Sequence, residues 1–150
     1  MKKSNIFGSD GQREVNPDWF TGRVWMKVLS EGLGSSKQDM YHVHFEKGAR
    51  TKLHRHDGSQ VLIVTEGRGS LVTYESDGAE SDSFGIRETG TVPLSTGDVV
   101  YIPENTLHTH GSTDNVATFS HIAVNNLPCG VGEYVTVWYE SDGDRVTCQI

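Results

Sequence analysis

At 150 residues the chain is long enough for one domain with a sizeable buried core. A formal net charge of −7 argues against nucleic-acid binding, which needs a basic face, and favours solubility. With 17 glycines, four prolines and only short apolar runs, the composition points to many strands and tight turns, and no run approaches the roughly 20 apolar residues of a membrane helix.

Residues 1–15 are polar and read as a flexible N-terminal segment ahead of a single domain over 16–150. Lys2 and Lys3 are followed only by Ile6 and Phe7, far short of a secretory apolar region, so the cytoplasm is the expected compartment. From Trp19 the pattern changes. Val24, Met26 and Val28 alternate with Arg23, Trp25, Lys27 and Leu29, which is the period of a strand. Residues 30–39 are a Gly- and Ser-containing connection. Met40 to Phe45 then alternate again, with Tyr41, Val43 and Phe45 toward a barrel interior and His42 and His44 on the outer side, as a solvated or subunit-facing pair.

The next stretch carries the chemistry. His54 and His56 flank Arg55 on a strand and therefore project from one face. Asp57-Gly58-Ser59 is turn chemistry, so Gln60 opens the returning strand with its amide in reach of the same centre. Val61 to Thr65 reads as a short buried strand, residues 66–69 as a turn and Ser70 to Tyr74 as the next strand. Residues 75–85 are acidic, rich in Ser and Gly and without periodicity, as expected of a hairpin tip or a solvated loop near a barrel mouth. Gly97 to His108 is a strand, a Pro-Asn turn and a third histidine, and His110 shares the face of His108. Ala117 to Val124 is the last core strand, and its apolar balance alone would turn Ser120, Ile122 and Val124 inward. Tyr134 to Tyr139 reads as a further strand packed outside the barrel or at a subunit interface. Cys129 and Cys148 lie in the C-terminal tail, outside the histidine framework, and are expected as free thiols. With no repeat and no long helical pattern, the fold class is all-β: a single barrel or jelly roll.

Three imidazoles and one amide oxygen, from His54, His56, His108 and Gln60, suit a single divalent ion with open positions left for a ligand. A closed structural zinc site would use four tight ligands, usually cysteines. Gln60 is neutral, so the ion keeps its full positive charge. One unit charge at ~4 Å and an effective dielectric of ~20 is worth about 4 kcal/mol, and its sign favours anions, oxyanions and an acidic bound water over redox chemistry. His110, on the same face but not a ligand, is the candidate general base, because histidine titrates near neutral pH. Thr51 is expected to bring a hydroxyl near the metal, and Tyr41 and Val43 to line the substrate pocket.

Two motifs in register give a resemblance. Gly48, His54, His56 and Gly67 keep the spacing of the first cupin motif, with Gln60 in place of the acid. Gly97, Pro103 and His108 keep that of the second, with Asn105 where Gly is usual, a residue that also tolerates positive φ. The run Asn16 to Gly22, together with residues 45–51, Gln60 to Thr65 and His108 to Gly111, is similar to the small bacterial manganese-dependent hydroxynitrile lyases of that fold. The resemblance implies a homodimer and one divalent metal per chain, manganese first and iron, zinc or nickel as alternatives. It also implies His110 as the group that takes and returns the cyanohydrin proton, and an inward His121 with Asn125 in the substrate pocket. Tyr41 is bulkier than the residue those lyases place there, which implies a poor fit for an aromatic cyanohydrin. Two other readings stay open: a metal-dependent dioxygenase of a small carbonyl substrate, and a non-catalytic metal-dependent binding protein for a small ligand.

Overall fold

The computed structural model describes residues 1–8, 11–130 and 132–150. Its strands are β1 (Gln12–Glu14), β2 (Phe20–Thr21), β3 (Val24–Val28), β4 (Gln38–Phe45), β5 (Arg50–Thr51), β6 (Leu53–His56) and β7 (Gln60–Asp77). They continue as β8 (Phe84–Ser95), β9 (Val99–Ile102), β10 (Leu107–Ser112), β11 (Phe119–Asn126), β12 (Thr136–Asp142) and β13 (Arg145–Gln149). A 3-10 turn over Pro17–Trp19 precedes β2, with Pro17 at its first position and the Asn16 side chain accepting from the Asp18 amide. Among the described residues there is no α-helix, and no helix long and apolar enough to cross a membrane.

Two antiparallel sheets face each other. The first runs β1-β3-β4-β11-β7-β9, and the second joins β2, β5, β10, β6, β12, β13 and β8 to the distal half of β7. β7 serves both because it turns the corner between them. Its first part pairs with β11 and β9, and its second with β10 and β8. The turn expected at residues 66–69 is thus a bend inside one 18-residue strand. Gly67 makes the bend possible: it has φ 80°, and a Cβ there would lie 2.0 Å from the Thr118 carbonyl oxygen.

Between the sheets lies the main core, built on Phe45, Leu62, Val64, Ile102 and Phe119. Leu53, Leu107 and Tyr139 form a second cluster on the outer face of the second sheet, closed by Phe84, Ile86 and Val146 from β8 and β13. Residues 75–90 accordingly build a hairpin that covers this outer face. Its tip, residues 78–83, is six residues between β7 and β8 rather than a loop over the barrel mouth.

Two other expectations change. The N-terminal segment contributes a strand, since β1 pairs with β3 in the register Arg13↔Met26. The Tyr134–Tyr139 stretch is no outer strand: β12 pairs with β6 in the register Thr136↔His56 and Trp138↔His54, because alternation presents Thr136 and Trp138 to the interior. On β4 the split holds. Val43 and Phe45 join the core while His42 and His44 turn to the outer face, His42 onto the Thr65 hydroxyl and His44 onto that of Ser120.

Candidate functional site

β6, β10 and β12 lie side by side, and their inward residues meet at the floor of a cavity of about 520 Å³. His54 and His108 are direct cross-strand partners, with ring centroids 4.1 Å apart, and His56 lies 4.9 Å from His54 on the same measure. Gln60 enters from the start of β7, after the Asp57-Gly58-Ser59 turn, and Asn105 after Pro103 adopts φ 59°. Ligand atoms of His54, His108 and His110 all lie within 4.8 Å of one another, a spacing able to hold a metal ion.

Second partners fix the rings. His54 Nδ1 donates to the Lys52 carbonyl at 2.9 Å and His108 Nδ1 to the Thr106 carbonyl at 2.7 Å. A carbonyl only accepts, so in these neutral imidazoles the hydrogen sits on Nδ1 and Nε2 is a bare lone pair. His56 Nδ1 pairs with the Thr136 hydroxyl at 2.8 Å, and Gln60 Nε2 donates to Asn125 Oδ1 at 2.8 Å. Among the described residues four buried side-chain atoms lack a protein partner: His56 Nε2, His108 Nε2 and Gln60 Oε1, and, on the other side of His110, His121 Nδ1. The first three, in one site, are a large departure from the rule that buried polar groups are paired, and a cation is the partner that lone pairs of this kind accept.

Burial also sets the charges. It pushes His56 down to about 3, helped by His108, and His108 down to about 4. His54 and His110 lie well below the usual imidazole range, by burial first and neighbouring imidazoles second. His121 is pushed down to about 3 by burial and then by His42. At neutral pH the whole set is uncharged and able to bind a cation, and His110 is a weaker base than the near-neutral histidine expected from sequence, because burial disfavours its protonated form.

His110 stands next to the floor, and its Nδ1 lies 3.2 Å from His121 Nε2. His121 therefore faces inward, as do Ala123 and Asn125, against the apolar balance of β11. The explanation is that Ser120, on the other face, is no surface residue: it is buried and pairs with His44. Tyr41, Val43 and Thr51 line the cavity as well, but the Thr51 hydroxyl is occupied in accepting from the His110 backbone amide at 2.9 Å.

Aromatic residues complete the walls, and sequence reasoning missed them. Trp138 stacks on His54 at 4.2 Å between centroids and Trp19 on Trp138 at 5.3 Å, forming a column from floor to mouth. Tyr134 lies 4.8 Å from His56 and its hydroxyl donates to the Gly58 carbonyl at 3.1 Å, bracing the turn between His56 and Gln60. The alternation Tyr134, Thr136, Trp138 was the available signal. Cys129 and Cys148 are free, exposed thiols.

Comparison with known proteins agrees with this architecture. An (R)-mandelonitrile lyase of Granulicella tundricola is 33% identical over 118 residues, spanning 78% of this chain and 79% of that protein. A cupin-like protein of Thermotoga maritima is 35% identical, with TM-score 0.64 and coverage of 92% of this chain and 90% of that one. A cupin barrel protein of Rhodopseudomonas palustris, 16% identical over 77% of this chain and 68% of its own, shares the fold at TM-score 0.57. A family model described as a cupin domain matches residues 41–123, and the chain belongs to the cupin family.

Proposed function

We propose that this cupin is a metal-dependent hydroxynitrile lyase, cleaving a small cyanohydrin into a carbonyl compound and hydrogen cyanide. Three of the four buried atoms without partners carry the reading: His56 Nε2, His108 Nε2 and Gln60 Oε1. With His54 Nε2 they would hold one divalent ion, manganese first. His110 is assigned as the base rather than as a further ligand; its Nδ1 is paired with His121 and its Nε2 is the atom left for the proton. Such an ion supplies a Lewis acid for the substrate hydroxyl oxygen and, with four neutral ligands, its undiminished positive charge.

The remaining steps belong to the chain. His110 can accept a proton at Nε2 only if its hydrogen sits on Nδ1, and His121 Nε2 is placed to accept that hydrogen. The Thr51 hydroxyl holds the His110 backbone in place. His110 then takes the hydroxyl proton as the bond between the carbinol carbon and the nitrile carbon breaks. The electron pair leaves on cyanide, the carbonyl forms, and the proton on His110 passes to cyanide to give hydrogen cyanide. Tyr41, Val43 and Asn125 line the substrate space, and about 520 Å³ leaves room for a small alkyl or aryl group. The lyase named among the relatives supports this chemistry over other cupin reactions.

The test is cyanide release from mandelonitrile, with metal content measured on the same protein. We expect release from the wild type, and in His110→Ala a loss of about 10²–10⁴-fold with metal content retained. Iron with oxygen uptake on a small carbonyl substrate and no cyanide would replace the lyase by a dioxygenase. Ligand retention without turnover would make the protein a metal-dependent binding protein.

A further inference from the structure

A glutamine is an ambiguous metal ligand. Its amide oxygen binds a cation, its amino group repels one, and a half-turn about the last torsion exchanges the two. A carboxylate has no such ambiguity. Something beside Gln60 must therefore decide which end faces the imidazoles, and the register of the sheet supplies it. Asn125 on β11 stands directly across from Gln60 on β7. Both side chains are buried, and Asn125 Oδ1 accepts from Gln60 Nε2 at 2.8 Å. With the amino group held there, Oε1 is the atom left unpaired in the cavity wall that His56 also lines. Turning the Gln60 amide over alone would set two carbonyl oxygens against each other with no hydrogen between them, the costly state of a buried polar pair, and turning both amides together would aim the Gln60 amino group at the cation.

We propose that Asn125 is a positioning residue whose side-chain oxygen selects the metal-facing end of the Gln60 amide. The inference rests on the reading of Gln60 as a ligand. Its chemistry is independent of the substrate, since it concerns only which atom the chain presents to a cation. It also accounts for the pairing of two amides across this part of the sheet: a neutral ligand at 60 needs an oxygen at 125, and a carboxylate at 60 would not.

Manganese(II) affinity reads this directly, from the electron paramagnetic resonance signal of the free ion in titrations of metal-stripped protein. We expect Asn125→Leu to weaken binding by about 10–100-fold, the usual cost of losing a partner that orients a ligand. Asn125→Asp, whose oxygens can both accept, should keep wild-type affinity or tighten it. In a Gln60→Glu background the same Asn125→Leu exchange should cost only a small part of that loss, because either carboxylate oxygen serves. Equal losses from Asn125→Leu in both backgrounds, or no loss with glutamine at 60, would overturn the Asn125 role alone. Unchanged affinity in Gln60→Ala would overturn the ligand reading itself. Thermal unfolding of the metal-free variants separates binding from folding, and Asn125→Ala makes the same test without added bulk.

Discussion

The two faces of the second sheet differ by one residue in sequence and by almost everything in chemistry. Leu53, Leu107 and Tyr139 point outward into a cluster closed by Phe84, Ile86 and Val146. Their neighbours His54 and Trp138 line the cavity, and His108 lies buried beside His54. The outer face is satisfied by burial alone. The inner side, with Gln60 from β7, leaves three buried polar atoms unpaired, each costing about 1–3 kcal/mol in the metal-free protein. One face therefore stabilises the strands that the other face uses. A site built this way is held by sheet backbone rather than loops, so its imidazoles stay ordered without the ion.

Acid separates the two faces most sharply. His56 and His121 have been pushed down to about 3 and His108 to about 4, so in the folded protein they stay neutral well below pH 6.5. Unfolded imidazoles take up protons below about 6.5, so the unfolded state binds more protons between there and the folded values. Stability of the metal-free protein then rises with pH across that window. It falls on acidification by up to about 1.4 kcal/mol per pH unit for each such imidazole. We expect its unfolding midpoint to drop continuously from pH 6.5 to 4, whereas the apolar outer cluster contributes no slope. A flat midpoint over that range would mean that the imidazoles are not held neutral by burial.

Breaking the outer face should do the reverse. Leu53→Ala removes a fully buried side chain from the second cluster and should cost about 2–5 kcal/mol of stability. Protein that remains folded should still bind one ion per chain with nearly unchanged affinity, as titration of the folded fraction would show. A large drop in affinity would show that the outer cluster sets the spacing of His54 and His108.

On the inner face, His56→Ala decides between two sets of three histidines. By mutual distance alone the candidates are His54, His108 and His110. By unpaired atoms His56 belongs to the set, together with His108 and Gln60. We expect His56→Ala to lose the ion at concentrations where His110→Ala retains it. Metal analysis giving the opposite pattern would move His110 into the coordination sphere and remove it as the base.

Much of this site was legible in the chain because strand parity is local. Two histidines flanking one residue share a face whatever the sheet does next, and the Asp57-Gly58-Ser59 turn brings Gln60 back beside them. Asn105 at the turn before His108 likewise declared its backbone, which has positive φ. What was not legible depends on pairing between distant strands. Nothing within residues 134–139 says that β12 lies against β6, so Trp138 and Thr136 were missed as neighbours of His54 and His56. His121 misled in the other direction: on the outer face of β11 Ser120 is buried against His44 while Ile122 and Val124 stay half-buried, so the balance of apolar residues pointed to the wrong face. The bend at Gly67 was read as a stop because a glycine that turns a chain and one that bends a strand look alike in sequence.

The smallest effect we expect concerns how the three imidazoles are anchored. His54 and His108 donate from Nδ1 to main-chain carbonyls, of Lys52 and Thr106, which no side-chain substitution removes. His56 alone relies on a side chain, the Thr136 hydroxyl, presented by the strand that sequence reading placed outside the site. Thr136→Val keeps shape and strand preference but removes the acceptor. His56 is then free to change tautomer or swing, and metal affinity should fall by about 10–100-fold with the fold intact. Thr136→Ser restores the oxygen and should restore most of the affinity. Equal affinities for the valine and serine variants would show that the neighbouring Tyr134 ring, tilted against His56, and not the hydroxyl, holds His56 in place.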